Sequence, residues 1–278
     1  MVTHGDDPKE NLWFGSVAAL ARARGIETVI PGDPNTAEFV ARVRALRPDF
    51  LFSFYYRSML GRELLAIPAR GAYNMHGSLL PKYRGRAPVN WAVLHGETQT
   101  GATLHEMVVK PDAGRIVDQE AVPILPDDLA VDVFGKVTAA AERVLARSLP
   151  GLLDGSAVLR PQDLSMGSYF GGRRPEDGRI DWRQPARRIH DLVRAVAPPY
   201  PGAFTELEGK RLRVLRTRLL PQQASARASA LLRAEAGRCL AECADGGTLE
   251  ILELELDGKA LSAQEFANRI GTRRIAML

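Results

Sequence analysis

The sequence has little cysteine and no long hydrophobic run, and these shortages exclude several classes of protein. Its 278 residues contain two cysteines, Cys239 and Cys243, too few for a disulfide scaffold or a cysteine-based zinc set. No apolar stretch reaches the roughly 18 residues that a membrane-spanning helix needs. Residues 1–7 show no basic segment followed by an apolar one, so we predict no signal peptide and a cytoplasmic protein without a metal site.

Composition and charge are those of an ordinary folded protein with an uneven basic excess. The chain is 45% hydrophobic and 25% charged, which excludes wholesale disorder, and its length suits one or two domains. The net charge is +4, yet residues 173–218 alone carry twelve basic and six acidic side chains. Such a stretch favours a polyanionic partner, either a phosphorylated small molecule or nucleic acid, although solvated arginines would give the same count.

The first half of the chain alternates helical and strand patterns. Apolar residues at helical spacing cover residues 36–46, and the continuous apolar run after them indicates a parallel strand buried on both faces. Strands that alternate with helices predict a doubly wound, mostly parallel α/β sheet. The strand patterns cover residues 27–30, 50–54, 72–75, 102–109 and 115–124.

The second half has a different pattern, with short strands predicted at about residues 203–207, 211–219 and 249–254 in place of the helix–strand alternation. The turn-rich segment Gly171–Pro175 predicts a domain boundary, and a helix is expected at residues 185–196. Ser262 and Glu265 have the spacing of a capping box that opens a last helix. We therefore predict an α/β domain at residues 1–175 and a small β-rich, OB-like domain at residues 176–278.

Asn74, His76 and Asp112 are candidates for a chemical site. Asn74 and His76 lie two residues apart in a predicted strand, so their side chains project to the same side. In an open α/β sheet the carboxyl ends of strands are where ligands bind. An amide can hold an oxyanion and an imidazole can move a proton near neutral pH. Asp112, in a turn between two predicted strands, could orient the imidazole and raise its pKa.

The residues around this pair resemble the folate-dependent formyltransferases. That superfamily includes methionyl-tRNA formyltransferase, glycinamide ribonucleotide formyltransferase and the sugar N-formyltransferases. The run His76–Pro88 is most similar to the formyltransferase part of bifunctional polymyxin-resistance enzymes, which act on UDP-4-amino-4-deoxy-L-arabinose in lipid A modification. The resemblance extends over residues 52–57, 74–88, 90–105, 170–181 and 201–204.

The resemblance implies transfer of a formyl group from N10-formyltetrahydrofolate to an amine, without a metal. Asn74 matches the asparagine that stabilises the tetrahedral oxyanion, and His76 matches the general acid/base. Asp112 matches the aspartate that keeps this histidine basic. The residues that match the folate pocket are Ser58, Met59 and Leu60, Arg86, and on the other side Val108, Val109, Lys110, Pro111 and Asp112.

Members of this family begin with a strand, a glycine-containing turn, a helix and most of a second strand that have no counterpart here. Met1–His4 corresponds to the end of that second strand. The missing strand is central in a doubly wound fold, and its loss would leave exposed neighbours. Either the true start lies upstream, or the chain is truncated, or another strand fills the gap. His95 and His105 are predicted to have structural roles.

Three functions remain open from the sequence. The first is formylation of a nucleotide-linked amino sugar, with UDP-4-amino-4-deoxy-L-arabinose as the expected small-molecule substrate. The second is formylation of methionyl-tRNA, which the basic stretch at residues 173–218 favours; the short acidic segment His4–Glu10 argues against it, because the tRNA enzymes carry a basic insertion there. The third is a non-catalytic remnant that binds folate or nucleotide. The oligomeric state is left open.

Overall fold

The structure is a computed structural model in which residues 1–5, 11–221 and 229–277 are described. The chain forms two compact units, each assembled from separate stretches of sequence. The first unit contains Met1–Gly85, Gly101–Val122 and Lys136–Phe170, and the second contains Arg86–Thr100, Pro123–Gly135 and Gly171–Leu278. The predicted domains at residues 1–175 and 176–278 stay a prediction.

Several of the described helices begin at residues whose side chains satisfy free backbone N–H groups. The Ser16 hydroxyl accepts from Ala19 N at 3.2 Å, and the predicted capping box of Ser262 and Glu265 is present. No described helix is both long and apolar enough to cross a membrane. In the described residues the helices are α1 (Val17–Ala23), α2 (Ala37–Ala45), α3 (Arg62–Leu65), α4 (Pro88–Leu94), α5 (Ala130–Asp154), α6 (Ala186–Val196) and α7 (Ala263–Ile270).

The strands form two principal sheets and one short two-stranded pair. The first five strands are β1 (Leu51–Phe54), β2 (Ala72–His76), β3 (Arg84–Gly85), β4 (Gln99–Glu106) and β5 (Ile116–Pro123). The next four are β6 (Tyr169–Phe170), β7 (Ala203–Leu207), β8 (Lys210–Leu220) and β9 (Ala230–Glu235). The last four are β10 (Arg238–Glu242), β11 (Thr248–Leu256), β12 (Lys259–Leu261) and β13 (Ile275–Met277).

The sheet of the first unit has the strand order β1-β2-β4-β5. β1 and β2 are parallel, so the residues that follow β1 emerge at the same edge as His76. β4 is antiparallel to β2, and this register places His105 opposite Asn74 and Thr103 opposite His76. β3 and β6 form the separate parallel pair, in which Arg84 is opposite Tyr169.

β1 differs from the strand that the sequence predicts. In the described residues it is the last strand of its sheet, with β2 as its neighbour, and Phe54 at its end is 49% exposed. The prediction that both of its faces are covered is therefore wrong. The strand predicted at residues 27–30 is reduced to one parallel bridge between Val2 and Val29, in which Thr3 N donates to Val29 O and Val29 N donates to Met1 O, each at 3.0 Å.

The second unit contains the β-rich part of the chain. Its sheet has the order β13-β9-β10-β11-β8-β7, and β12 pairs with β11. Helix α6 packs on β8, and α7 packs on β9 and β10. The core includes Trp182, whose indole N–H donates to Thr205 Oγ1 at 3.1 Å. Cys239 and Cys243 are buried and free, and burial raises the pKa of each thiol to about 12.

Candidate active site

His76 ends β2 in a buried position, with its two ring nitrogens in different surroundings. Nε2 donates to the carbonyl oxygen of Tyr83 at 2.8 Å. A carbonyl can only accept, so the neutral ring carries its proton on Nε2 and its lone pair on Nδ1. Nδ1 lies 3.7 Å from Asp112 Oδ1, which is longer than a hydrogen bond. Asp112 therefore acts on His76 mainly through its charge, and Nδ1 remains open to a ligand.

Burial and charge act in opposite directions on His76. Burial lowers the pKa of the imidazole, while the charge of Asp112 and the Tyr83 carbonyl raise it and His105 lowers it. Burial outweighs the rest, so the pKa of His76 lies below its usual value. The charge of Asp112 raises the pKa of His76, as predicted from the sequence. The larger, opposite effect of burial was not part of that prediction. At neutral pH the ring is neutral and can accept a proton.

Asp112 is fixed in a strained turn between β4 and β5. Its φ of +51° is in the left-handed region, which costs free energy unless neighbours hold the backbone there. Gln162 supplies that restraint, because its Nε2 donates to the carbonyls of Asp112 at 3.1 Å and Gly114 at 2.6 Å. The backbone N–H of Gly85 donates to Asp112 Oδ2 at 2.8 Å.

The carboxylate of Asp112 stays ionised over the physiological range. Burial raises its pKa, but the hydrogen bond with His105, the charge of His76 and the N–H of Gly85 outweigh burial and lower the pKa to about 2. A permanent negative charge therefore lies beside two histidines. It favours the protonated form of His76 at the moment when a proton arrives.

His105 is a member of this site that the sequence analysis assigned to a structural role. Its Nδ1 donates to the Glu106 carbonyl at 2.8 Å, and its Nε2 lies 3.4 Å from Asp112 Oδ1. The ring is almost fully buried. The sequence does show that Thr103 and His105 are two residues apart and therefore share one face of β4. The register that places them opposite β2 is visible only in the structure.

Asn74 is held by the same histidine. Its Nδ2 lies 3.3 Å from His105 Nε2. When His105 is neutral with its proton on Nδ1, Nε2 accepts one N–H of the Asn74 amide, and the hydrogen bond from Nε2 to Asp112 forms only when Nε2 carries a proton instead. The second N–H of that amide is then available to a ligand oxygen, on the same side of β2 as His76.

The loop between β2 and β3 is held in place by a buried network around Thr103. The hydroxyl of Thr103 donates to Ser78 O at 2.6 Å and accepts from Leu80 N at 3.2 Å. Gln119 Nε2 donates to Leu80 O at 2.8 Å and to Thr103 Oγ1 at 2.9 Å. This loop leads to Tyr83, whose carbonyl holds His76, so the network fixes the orientation of the imidazole.

The other residues predicted for a ligand lie in loops. Ser58–Leu60 follows β1, and the Asn35 amide fixes it by donating to Met59 O at 2.9 Å and accepting from Gly61 N at 2.6 Å. Residues 108–112 follow β4, with Val108 39% and Val109 54% exposed. Arg86 belongs to the second unit. Among the described residues, no group of three or more His, Cys, Asp or Glu could hold a metal ion.

The geometry of these residues indicates a class of reaction. A buried imidazole beside an ionised carboxylate, with an amide donor on the same strand face, is suited to transfer of an acyl group through a tetrahedral intermediate. Two family models match the chain, the formyl transferase model over residues 18–149 and the formyl transferase C-terminal domain model over residues 173–271. The chain belongs to the formyl transferase family. The predicted fold class and the predicted enzyme class, a formyltransferase, are confirmed.

Solved structures share this fold at low sequence identity. An N-formyltransferase from Helicobacter canadensis, in complex with folinic acid and dTDP-3-aminofucose, has a TM-score of 0.68 at 19% identity, over 89% of this chain and 86% of that one. A sugar N-formyltransferase from Shewanella sp FDAARGOS_354 has a TM-score of 0.60 at 21% identity, over 73% and 82%. HypX from Aquifex aeolicus with tetrahydrofolic acid has a TM-score of 0.61 at 19% identity, over 90% and 43%.

Proposed function

We propose that this protein transfers the formyl group of N10-formyltetrahydrofolate to the amine of a nucleotide-linked amino sugar. The observation that carries the proposal is the cluster of Asn74 and His76 on β2, His105 on the adjacent β4, and Asp112 in the turn after β4. The family match supports formyl transfer. Relatives of the same fold whose structures contain folates or a nucleotide amino sugar support the choice of substrates. The likeness to polymyxin-resistance enzymes favours UDP-4-amino-4-deoxy-L-arabinose among the sugars.

The proposed reaction uses each member of the cluster for one task. The amine nitrogen attacks the formyl carbon, and the formyl oxygen becomes an oxyanion to which the free N–H of Asn74 donates. His76 accepts the proton of the amine at Nδ1, and the negative charge of Asp112 stabilises the imidazolium. The same proton passes to the folate nitrogen as its bond to the formyl carbon breaks. The products are the formamide and tetrahydrofolate.

The folate is proposed to bind beside this cluster, along the loops that follow β1 and β4. Ser58, Met59 and Leu60 are the proposed contacts on one side, where Asn35 fixes the backbone. The segment Val108–Asp112 is the proposed contact on the other, and its exposed valines offer apolar surface to a pterin ring. Arg86 is proposed to meet a carboxylate of the folate.

The arginine-rich stretch favours a small substrate over tRNA. Many of its side chains are already paired inside the second unit, as Arg187 and Arg194 are with Asp191. On the sheet, Arg213, Arg216 and Arg218 are paired with Glu255, Glu253 and Glu250. A paired arginine offers little net charge to a phosphate backbone. Residues 6–10 of the acidic segment His4–Glu10 lie outside the described residues.

The experiment is a transfer assay with the full chain, N10-formyltetrahydrofolate and three amines in parallel. The amines are UDP-4-amino-4-deoxy-L-arabinose, dTDP-3-aminofucose and methionyl-tRNA, and mass spectrometry detects a gain of one formyl group. We expect a product from an amino sugar. Formylated tRNA alone would overturn the sugar proposal and leave the catalytic residues in place. A folded chain that binds folinic acid but forms no product would support the non-catalytic remnant instead.

A further inference from the structure

Arg84 is a buried arginine without a partner. Its residue is 8% exposed, and its Nε is buried without a hydrogen bond. Among the residues that the structure describes, none forms a hydrogen bond or an ion pair with the Arg84 guanidinium. The Nε of Arg194, which is 1% exposed, is also buried without a hydrogen bond, but the Nη2 and Nη1 of Arg194 donate to Asp191 Oδ1 at 2.5 Å and to Asp128 O at 2.9 Å.

An unpaired buried guanidinium is costly, and this cost calls for an explanation. Arginine remains protonated at any pH at which the protein is folded, so it cannot avoid the penalty by losing its proton. Removing a charge from water is strongly unfavourable unless an opposite charge or several acceptors replace the water. The described residues supply neither to the buried Nε of Arg84. A ligand that carries a negative charge would supply the opposite charge and the hydrogen-bond acceptors.

The backbone around Arg84 is fixed, so the position of a bound anion would also be fixed. Arg84 N donates to Ser168 O at 3.0 Å, and Arg84 pairs with Tyr169 in the β3–β6 ladder. A side chain at Gly85 would overlap Phe170 O, at 2.1 Å, which shows how closely the two strands approach. A rigid donor loses little entropy on binding.

Arg84 also lies between the two backbone groups that hold the catalytic pair. The carbonyl of Tyr83 accepts from His76 Nε2 at 2.8 Å, and the N–H of Gly85 donates to Asp112 Oδ2 at 2.8 Å. An anion bound by Arg84 therefore lies within the length of one arginine side chain of the residues that hold His76 and Asp112.

We propose that Arg84 binds the diphosphate of the nucleotide-sugar substrate and thereby positions the sugar amine at His76. This inference rests on the proposed function. A nucleotide amino sugar carries its diphosphate on the ring that carries the amine, so the anion lies close to the reacting nitrogen. The carboxylates of the folate lie farther from the reacting nitrogen, beyond an aromatic ring and an amide. The planar guanidinium also matches phosphate oxygens in a bidentate geometry.

The first test is binding, measured by titration calorimetry on the full chain. The probes are UDP, dTDP, inorganic pyrophosphate, uridine and folinic acid, and the variants are Arg84→Met and Arg44→Met. Arg44 is an exposed arginine of α2, so Arg44→Met removes the same charge from the surface. We expect Arg84→Met to weaken the binding of the diphosphates by about ten- to a hundredfold, and to leave folinic acid unchanged. Arg44→Met should leave all affinities unchanged.

Two binding results would overturn the proposal. One is equal affinity of wild type and Arg84→Met for the diphosphates, including no detectable binding by either. The other is a loss confined to folinic acid, which would assign Arg84 to a folate carboxylate. If Arg84→Met loses pyrophosphate while the wild type formylates no amino sugar, the proposed function fails and the anion site stands.

The second test is thermal stability without ligand, which separates a binding role from a structural one. Because Arg84 is unpaired, Arg84→Met should melt at the same temperature as the wild type or higher. Arg194→Met, which removes a paired buried arginine, should melt at a lower temperature. A fall in melting temperature for Arg84→Met as large as for Arg194→Met would mean that Arg84 supports the fold, which would contradict the proposal.

Discussion

The substitution Asp112→Asn tests the electrostatic part of the site, because it removes the charge beside His76 and keeps the shape. Asp112 Oδ1 lies 3.7 Å from His76 Nδ1. Two unit charges at that distance attract by about 4 kcal/mol at an effective dielectric constant of about 20. His105 Nε2 is 3.4 Å from the same oxygen and shares the charge, so we expect the loss of the Asp112 charge to lower the pKa of His76 by only part of that attraction.

The sign of the change follows from the role of His76 as a base. The ring must be neutral to accept a proton, so activity falls on the acid side as His76 becomes protonated. Removal of the Asp112 charge lowers the pKa of His76 further, and the acid limb of the kcat/KM profile moves to lower pH. The plateau should fall by about 10²-fold or more, because a weaker base takes the proton less readily.

The assay combines the pH profile of kcat/KM with an NMR titration of the histidine ring signals, which does not depend on residual activity. Asp118→Asn is the control, since Asp118 is paired with Arg147 at 2.5 Å and should leave the profile unchanged. An acid limb that stays in place in Asp112→Asn, or moves to higher pH, would refute the electrostatic role of Asp112.

Three further substitutions test the parts of the site separately. Asn74→Ala should lower kcat by about 10²- to 10³-fold with little change in KM, because an oxyanion contact strengthens in the transition state; steady-state kinetics check this, and a change in KM alone would mean that Asn74 only positions substrate. His105→Gln should lower kcat by about tenfold or more, since it removes the ring nitrogen that either accepts from the Asn74 amide or donates to Asp112; an unchanged kcat would return His105 to a packing role. Gln162→Ala removes two hydrogen bonds from the Asp112 turn and should lower the free energy of unfolding in urea by about 2 kcal/mol; an unchanged value would mean that the turn holds its shape unaided.

The sequence predicted the chemical groups of the site better than their arrangement. Asn74 and His76 could be paired because side chains two apart on a strand share a face. Asp112 could be added from the family resemblance. His105 was missed because its place depends on the antiparallel register of β4 against β2, which no local pattern specifies. Gln162 was missed because it acts from a loop far along the chain.

The strands of the second unit also show how far local sequence patterns predict the structure. β7 was predicted with its observed bounds and β8 nearly so, since both have clear apolar alternation. β9 was missed, and no bounds were predicted for β10. Their turn uses Ala236 and Gly237, both with positive φ, and alanine is not a residue that signals such a turn. At β1 the apolar run predicted burial, but Phe54 is 49% exposed, because burial depends on neighbouring strands rather than on the strand itself.

The most direct test of the account follows a ¹³C-labelled formyl group from N10-formyltetrahydrofolate to UDP-4-amino-4-deoxy-L-arabinose, with wild type and His76→Ala in parallel. We expect labelled formamide from the wild type and a rate of formyl transfer at least about 10²-fold lower from the variant, with folinic acid binding retained. Transfer by His76→Ala within a few-fold of the wild-type rate would contradict the role of His76 as the group that carries the proton.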